Sequence, residues 1–178
     1  MMKKNPPSKL FSAVALMAGA LLAASCNQKN APVVTIANCP AVAGVAHMTT
    51  LTRFASESRT NDAVQFDAYL TQLDHDCDDS DNVETEISFT INAKRGPALQ
   101  NPVQTIDYFV VVLRDNYLVT AKKKYSTQIR FAPGQETTGV RETILQEFAD
   151  SATLRRYDYE VLIGFDLDPE ELEFNVIR

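Results

Sequence analysis

The stretch VETEISFTINA, residues 83–93, limits what this chain can fold into more than any other segment. Val83, Thr85, Ile87, Phe89, Ile91 and Ala93 fall on one parity, and Glu84, Glu86, Ser88, Thr90 and Asn92 on the other. Successive side chains of a strand point to opposite faces, so a period of two over this length predicts a strand with one face in a core and one in water. An amphipathic strand must bury its apolar face against a second layer. The chain supplies candidates. AVQFDAYLTQL sets Val64, Phe66, Ala68 and Leu70 on one face, GVRETILQEF sets Val140, Ile144 and Phe148 on one side, and YDYEVLIGFDL alternates from Tyr157 through Tyr159, Val161, Ile163, Phe165 and Leu167. AGVAHMTTLTRF reads as a single weaker strand carrying His47.

TIDYFVVVLR behaves differently. It is apolar on both parities from Tyr108 to Leu113, which predicts a strand buried on both faces or central in its sheet. Asp115 and Asn116 follow it and tolerate the left-handed backbone of a tight hairpin, leading into the long strand YLVTAKKKYSTQIRF. RGPALQNP and APGQ carry the glycines and prolines of loops. At the C-terminus, LDPEELEF places Asp168 as a helix N-cap, Pro169 at the first helical position and Glu171 three residues on, a capping box that predicts one or two helical turns with Leu172 folded back on the sheets. The expected fold is all-β: an antiparallel β-sandwich of about seven strands with a short C-terminal helical turn.

The first 25 residues read as an export signal. Lys3, Lys4 and Lys9 form a basic start, residues 10–24 are uncharged and mostly apolar, and small residues follow. The sequence LLAASC resembles the lipobox of bacterial lipoproteins, with Ala24 and Ser25 before a cysteine; Ala23 stands where leucine is usual. The resemblance implies cleavage before Cys26 and its lipidation, the alternative being an ordinary signal cut near AAS. Asn27 rather than aspartate after the cysteine resembles the signal for the outer membrane. Residues 26–38 are then the lipidated cysteine and a tether, and residues 39–178 the domain. Diacylation with an amide-linked chain holds such a protein on its membrane.

Without the signal the chain has 14 basic against 23 acidic residues, a net charge of −9, which argues against a nucleic-acid partner. With Cys26 lipidated, Cys39 and Cys77 remain as an even pair in an oxidising compartment, and a disulfide between them is favoured over two free thiols. Closing that loop would stabilise the fold by about 3–4 kcal/mol.

Segments such as ISFTINAKRGP, DYFVVVLRDN, LVTAKKKYSTQIRFAPGQ and YEVLIGFDLDPEELEFN resemble those of small, uncharacterised lipoproteins of Gram-negative bacteria, over most of the chain after the signal. That resemblance bears on location and brings no activity. The architecture is also similar to immunoglobulin-like and fibronectin type III-like modules, which mostly bind or space rather than catalyse.

LDHDCDDSDN, residues 73–82, invites a metal reading. Asp74, Asp76 and Asp78 sit at alternate positions, yet no glycine follows at the sixth place and Thr85 occupies the twelfth, so an EF-hand fails. A weak calcium site on Asp74, Asp76 and Asp78 is the alternative to a solvated turn, which is the first reading. His75 beside Cys77 lacks the second ligand pair of a zinc site. For catalysis there is little: His47 is read in a strand and His75 in the acidic turn, with no nucleophile elbow or phosphate loop. Lys123 falls on an apolar parity within AKKKY, which predicts a protected edge strand or a bulge, with an anion contact as the functional alternative. No cofactor is implied. The expectation is a non-enzymatic accessory module, membrane-bound through its lipid on the periplasmic face of the outer membrane, partnered by envelope proteins. The alternatives are a small-ligand or glycan binder and a carboxylate-dependent hydrolase.

Overall fold

In the computed structural model, the described residues are 39–78, 83–148 and 158–177. They hold eight strands: β1 (Ala41–Gly44), β2 (Thr50–Phe54), β3 (Val64–Asp78), β4 (Val83–Arg95), β5 (Val103–Arg114), β6 (Leu118–Arg130), β7 (Thr137–Phe148) and β8 (Tyr159–Phe165), followed by helix α1 (Pro169–Ile177). Two four-stranded sheets form, in the orders β1-β8-β5-β6 and β2-β3-β4-β7. The expected β-sandwich is present.

Strand β4 behaves as its alternation requires. Val83, Thr85, Ile87, Phe89, Ile91 and Ala93 are all buried, while Glu84, Glu86, Asn92 and Lys94 are exposed. Its inward residues meet Tyr108, Val110 and Val112 of β5 and Val161, Ile163 and Phe165 of β8 in one core. Burial runs unbroken from Tyr108 to Val112, because β5 lies between β8 and β6 and its outward side chains are covered too. Lys122 sets its ammonium 4.4 Å from the centre of the Phe109 ring. A Cβ on Gly164 would come within 3.0 Å of Met48 and 3.1 Å of Phe109, so the missing side chain lets those two close over β8.

Topologically, β4 pairs with β7 while their successors β5 and β8 pair in the other sheet. This interlock of two consecutive strand pairs is the one that strands B, C, E and F make in an immunoglobulin sandwich. The departure lies at the edge beside β8, where the short β1 pairs in parallel, Ala41 to Gly44 against Glu160 to Ile163. The other strand pairings are antiparallel.

Two sequence expectations need correction here. AGVAHMTTLTRF is not one strand: β1 ends at Gly44 and β2 begins at Thr50 in the opposite sheet. Between them His47 takes a left-handed φ of 62°, so it belongs to a turn. LDHDCDDSDN does not begin as a turn: residues 73–78 continue β3, pairing with β4 as far as Asp78 opposite Glu84. His75 is therefore a strand residue. Residues 79–82 of that stretch lie outside those described, as do Cys26 and the tether.

The C-terminal capping box is formed in both directions. The Glu171 backbone N–H donates to Asp168 Oδ1 at 2.7 Å, and the Asp168 N–H donates to Glu171 Oε2 at 3.0 Å. The helix is nine residues long, somewhat more than one or two turns. It packs on the β2 edge, with Phe174 edge-on to Phe54 at 5.1 Å. Asn175 Nδ2 donates to both His47 O and Thr50 O at 2.8 Å, tying the helix to the β1–β2 turn.

Candidate functional site

The disulfide predicted between Cys39 and Cys77 is present, with Cα atoms 6.0 Å apart. It joins the chain entering β1 to the far half of β3, and so links the two sheets. Cys77 pairs with Thr85 of β4. The Thr85 side chain is fully buried and its hydroxyl has no hydrogen-bond partner among the described residues.

Asp74, Asp76 and Asp78 alternate along the same strand, opposite Ser88, Glu86 and Glu84. Neighbouring same-face residues of a strand stand about 6.6 Å apart, so these carboxylates project side by side instead of converging, whereas a calcium ion draws its oxygens to within about 2.6 Å. No group of His, Cys, Asp or Glu among the described residues is arranged to hold a metal ion. Asp76 and Asp78, with Glu84 and Glu86 across from them, line an open depression of about 280 Å³. What stands there is a cross-strand ladder of like charges, Asp76 facing Glu86 and Glu84 facing both Asp78 and Glu147, an arrangement that costs stability.

The extension of β3 runs through a bulge. Register shifts between Thr71 and Asp74, and Gln72 takes a left-handed φ of 51°. The distortion falls opposite Phe89, whose neighbours Ser88 and Thr90 hold the partners on either side. It opens a small pocket of about 260 Å³ floored by Leu70, Phe89 and Ile163, with Thr49, Gln72 and Leu73 among its lining residues. Pockets for ordinary small ligands run from about 300 to 1,000 Å³. This one lies just below that range.

The two sides of the sandwich are unlike. On one side the edges are short: β1 has four residues, and β2 has five and is covered by α1. On the other, both sheets end in long strands, β6 with 13 residues and β7 with 12. β6 is therefore an edge strand, as Lys123 suggested, and it also carries the bulge. Register with β5 shifts between Val112 and Leu113, so Ala121 faces Val112 and Val119 faces Leu113. Thr120 takes the extra place, which turns Val119 to the outer face and leaves Leu118, Ala121, Lys123 and Tyr125 on the inner one. Most of this strand is open to solvent, and Tyr117 just before it is 78 % exposed, Leu118 47 % and Val119 56 %.

The three lysines each have an intramolecular contact. Lys122 rests on Phe109 at 4.4 Å, Lys123 on Tyr125 at 5.0 Å, and Lys124 Nζ bonds Asp166 Oδ2 at 2.6 Å. Beneath Lys123, Tyr125 stacks on Tyr108 with ring centres 5.3 Å apart. Tyr108 Oη donates to Glu142 Oε2 at 3.0 Å. Burial first, and then the bond to Glu142 and its charge, push the Tyr108 phenol well above the ordinary tyrosine range. A phenol so perturbed stays neutral and is no general base. Sequence reasoning missed this pair, although Glu142 shares the parity of Val140 and Ile144 and was readable as an inward carboxylate.

The chain matches no protein-family model, and comparisons with curated proteins and with solved structures find no match either.

Proposed function

We propose that this protein is a non-enzymatic accessory module, anchored through a lipidated Cys26 on the periplasmic face of the outer membrane and acting by binding other envelope proteins. The observation that carries the binding role is the unequal finish of the two sandwich sides. One edge on the first side is only four residues long and the other is short and covered by α1, while among the described residues both sheets end on the other side in the long strands β6 and β7. A long open edge is a ready template for another chain, and natural proteins that keep one shape it for a purpose. The anchor rests on the residues of the signal, AAS before Cys26, and the Cys39–Cys77 disulfide accords with an oxidising compartment.

The described chain enters at Cys39, at the end of the sandwich where β8 begins and where the β5–β6 hairpin turns. A tether of residues 27–38 reaches about 40 Å when extended, enough to let the open side turn toward neighbours on the same membrane. For the ligand-binding alternative, the pocket beside the β3 bulge is small, and the depressions of about 390 and 400 Å³ beside Tyr69 and beside Phe174 are shallower and more open to solvent. The hydrolase alternative needs two close carboxylates of unlike protonation, and the inward Glu142 meets a tyrosine instead.

The test has two arms. Fractionation of wild type and Cys26→Ala should move the protein from the outer membrane to the soluble periplasm or leave it unprocessed; a mutant processed and located like wild type refutes the anchor. Crosslinking from residues placed along β6 and β7 should trap envelope proteins, and equal trapping from β1 and β2 would refute the sidedness.

A further inference from the structure

The two open edges differ in charge. β7 carries Arg141 with Glu142 and Glu147, whereas β6, from Leu118 to Arg130, carries Lys122, Lys123, Lys124 and Arg130 and no acidic residue. The whole chain has a net charge of −6, so this strand is a local inversion of the protein's field. Register with β5 puts Lys122 and Lys124 on the outer face, opposite Val111 and Phe109, and Lys123 on the inner face, opposite Val110. A strand added beside β6 would therefore meet ammonium groups on both of its own faces. Near the hairpin it would instead meet the exposed Tyr117, Leu118 and Val119.

We propose that β6 accepts, by strand addition, an extended segment of a partner protein in which acidic residues alternate with apolar ones. The main-chain bonds of the added strand supply affinity without regard to sequence, and the side chains on either face choose the partner. On such a strand the carboxylates fall on one face, across from Lys122 and Lys124 as opposite-charge cross-strand pairs, the apolar residues fall on the inner face beside Ala121 and Tyr125, and apolar residues cover the hairpin end. The same lysines turn away a second copy of this chain. Two β6 strands paired antiparallel about Lys123 would set Lys122 against the other copy's Lys124, like charge against like. A copy is excluded and an acidic strand is selected by one feature.

This inference rests on the interaction-module reading, and the experiment separates the two. Detergent-extracted full-length protein is titrated with a fluorescent peptide of alternating valine and glutamate, and with its valine–lysine counterpart. Fluorescence anisotropy reads binding, and backbone hydrogen exchange reads where it occurs. The acidic peptide should bind and slow exchange along residues 118–130. Joint replacement Lys122→Glu, Lys123→Glu and Lys124→Glu should weaken it by at least roughly tenfold, about 1.4 kcal/mol, and favour the lysine peptide. Thermal unfolding checks that this variant is folded. Should it not be, Lys122→Glu alone, on the same face as Lys124 and leaving the Lys124–Asp166 bond intact, should still weaken the acidic peptide measurably. Equal binding of both peptides, no binding of either, or protection elsewhere overturns the proposal. A partner trapped equally well by wild type and the reversed variant would keep the interaction module and remove β6 as its site.

Discussion

Replacing Glu171 with alanine tests how the C-terminal helix is held to the sandwich. Its side chain is buried, 7 % exposed, and serves two groups at once. Oε2 accepts the Asp168 N–H, and Oε1 stands 3.0 Å from Arg53 Nε of β2. That second contact is ionic: the Arg53 Nε–H is not directed at the oxygen and makes no hydrogen bond. Loss of the reciprocal cap costs about 1 kcal/mol. Loss of the counter-ion adds up to about 1 kcal/mol, held low because the Arg53 side chain is 41 % exposed and screened by water. The packing lost with the buried side chain contributes about as much again. A total of about 2–3 kcal/mol should lower the melting temperature by roughly 4–12 °C in a domain of this size. Glu171→Gln, which keeps an acceptor for Asp168 and loses the charge, should cost about half as much. Thermal unfolding with exchange protection of β2 reads both effects, since freeing α1 uncovers that strand. If Glu171→Ala melts like Glu173→Ala at the exposed neighbouring position, the helix is not held in this way. If Gln costs as much as Ala, the charge and not the cap carries the energy.

Thr85→Val removes a buried hydroxyl that has no partner among the described residues, and should raise stability by about 1 kcal/mol in urea unfolding, against the usual penalty for this exchange in cores. Tyr108→Phe should cost about 1–3 kcal/mol near neutral pH, through the bond to Glu142. Because the folded state raises the Tyr108 phenol above its ordinary value of 10.0, its neutral form is the one the fold favours. That contribution is complete below about pH 10 and is lost as pH climbs through the raised folded value. Wild type should therefore lose urea stability above about pH 10 more steeply than Tyr108→Phe, and parallel profiles would contradict this. Asp76→Asn relieves its repulsion with Glu86 and should stabilise by a few tenths of a kcal/mol, about 0.2–0.5, with no response of the melting curve to millimolar calcium in either protein. Cys39→Ser with Cys77→Ser should cost about 4 kcal/mol by the entropy of the loop released, read as a lower urea midpoint than that of the oxidised wild type.

How far the fold was legible depends on where the information sits. β4 was readable because its alternation is local: Val83 to Ala93 records which side chains face the core. So was the burial of β5, written as the unbroken run Tyr108 to Val112, and so was the capping box of Asp168 and Glu171, which spans four residues. The aspartates of β3 suggest a turn because Asp is a poor strand former on its own. Pairing overrides that preference: β4 supplies a full partner strand and Cys77 is anchored by the disulfide. The bulge at Gln72 hid the continuation by shifting parity in mid-strand. The split of β1 from β2 at His47 and the parallel pairing of β1 are long-range choices, made by which edge of which sheet is vacant, and no local period records them. The open side with β6 is half visible, since Lys123 marks an edge, while the bond from Tyr108 to Glu142 joins residues 34 apart in the chain and no local pattern records it.

The disulfide also decides how this molecule takes a mechanical load. Any tension applied through residues before Cys39 reaches the domain at its shortest strand, β1, whose four residues pair in parallel with β8. Alone, such a strand would be drawn off β8 a few bonds at a time. The Cys39–Cys77 bond lies on the N-terminal side of β1, two residues before it begins, so the pull passes into β3, a strand of 15 residues paired for most of its length with β4. β1 is left slack. An oxidised domain should therefore resist stretching from its N-terminus as a whole sandwich, and reduction should turn the same pull into the peeling of one strand.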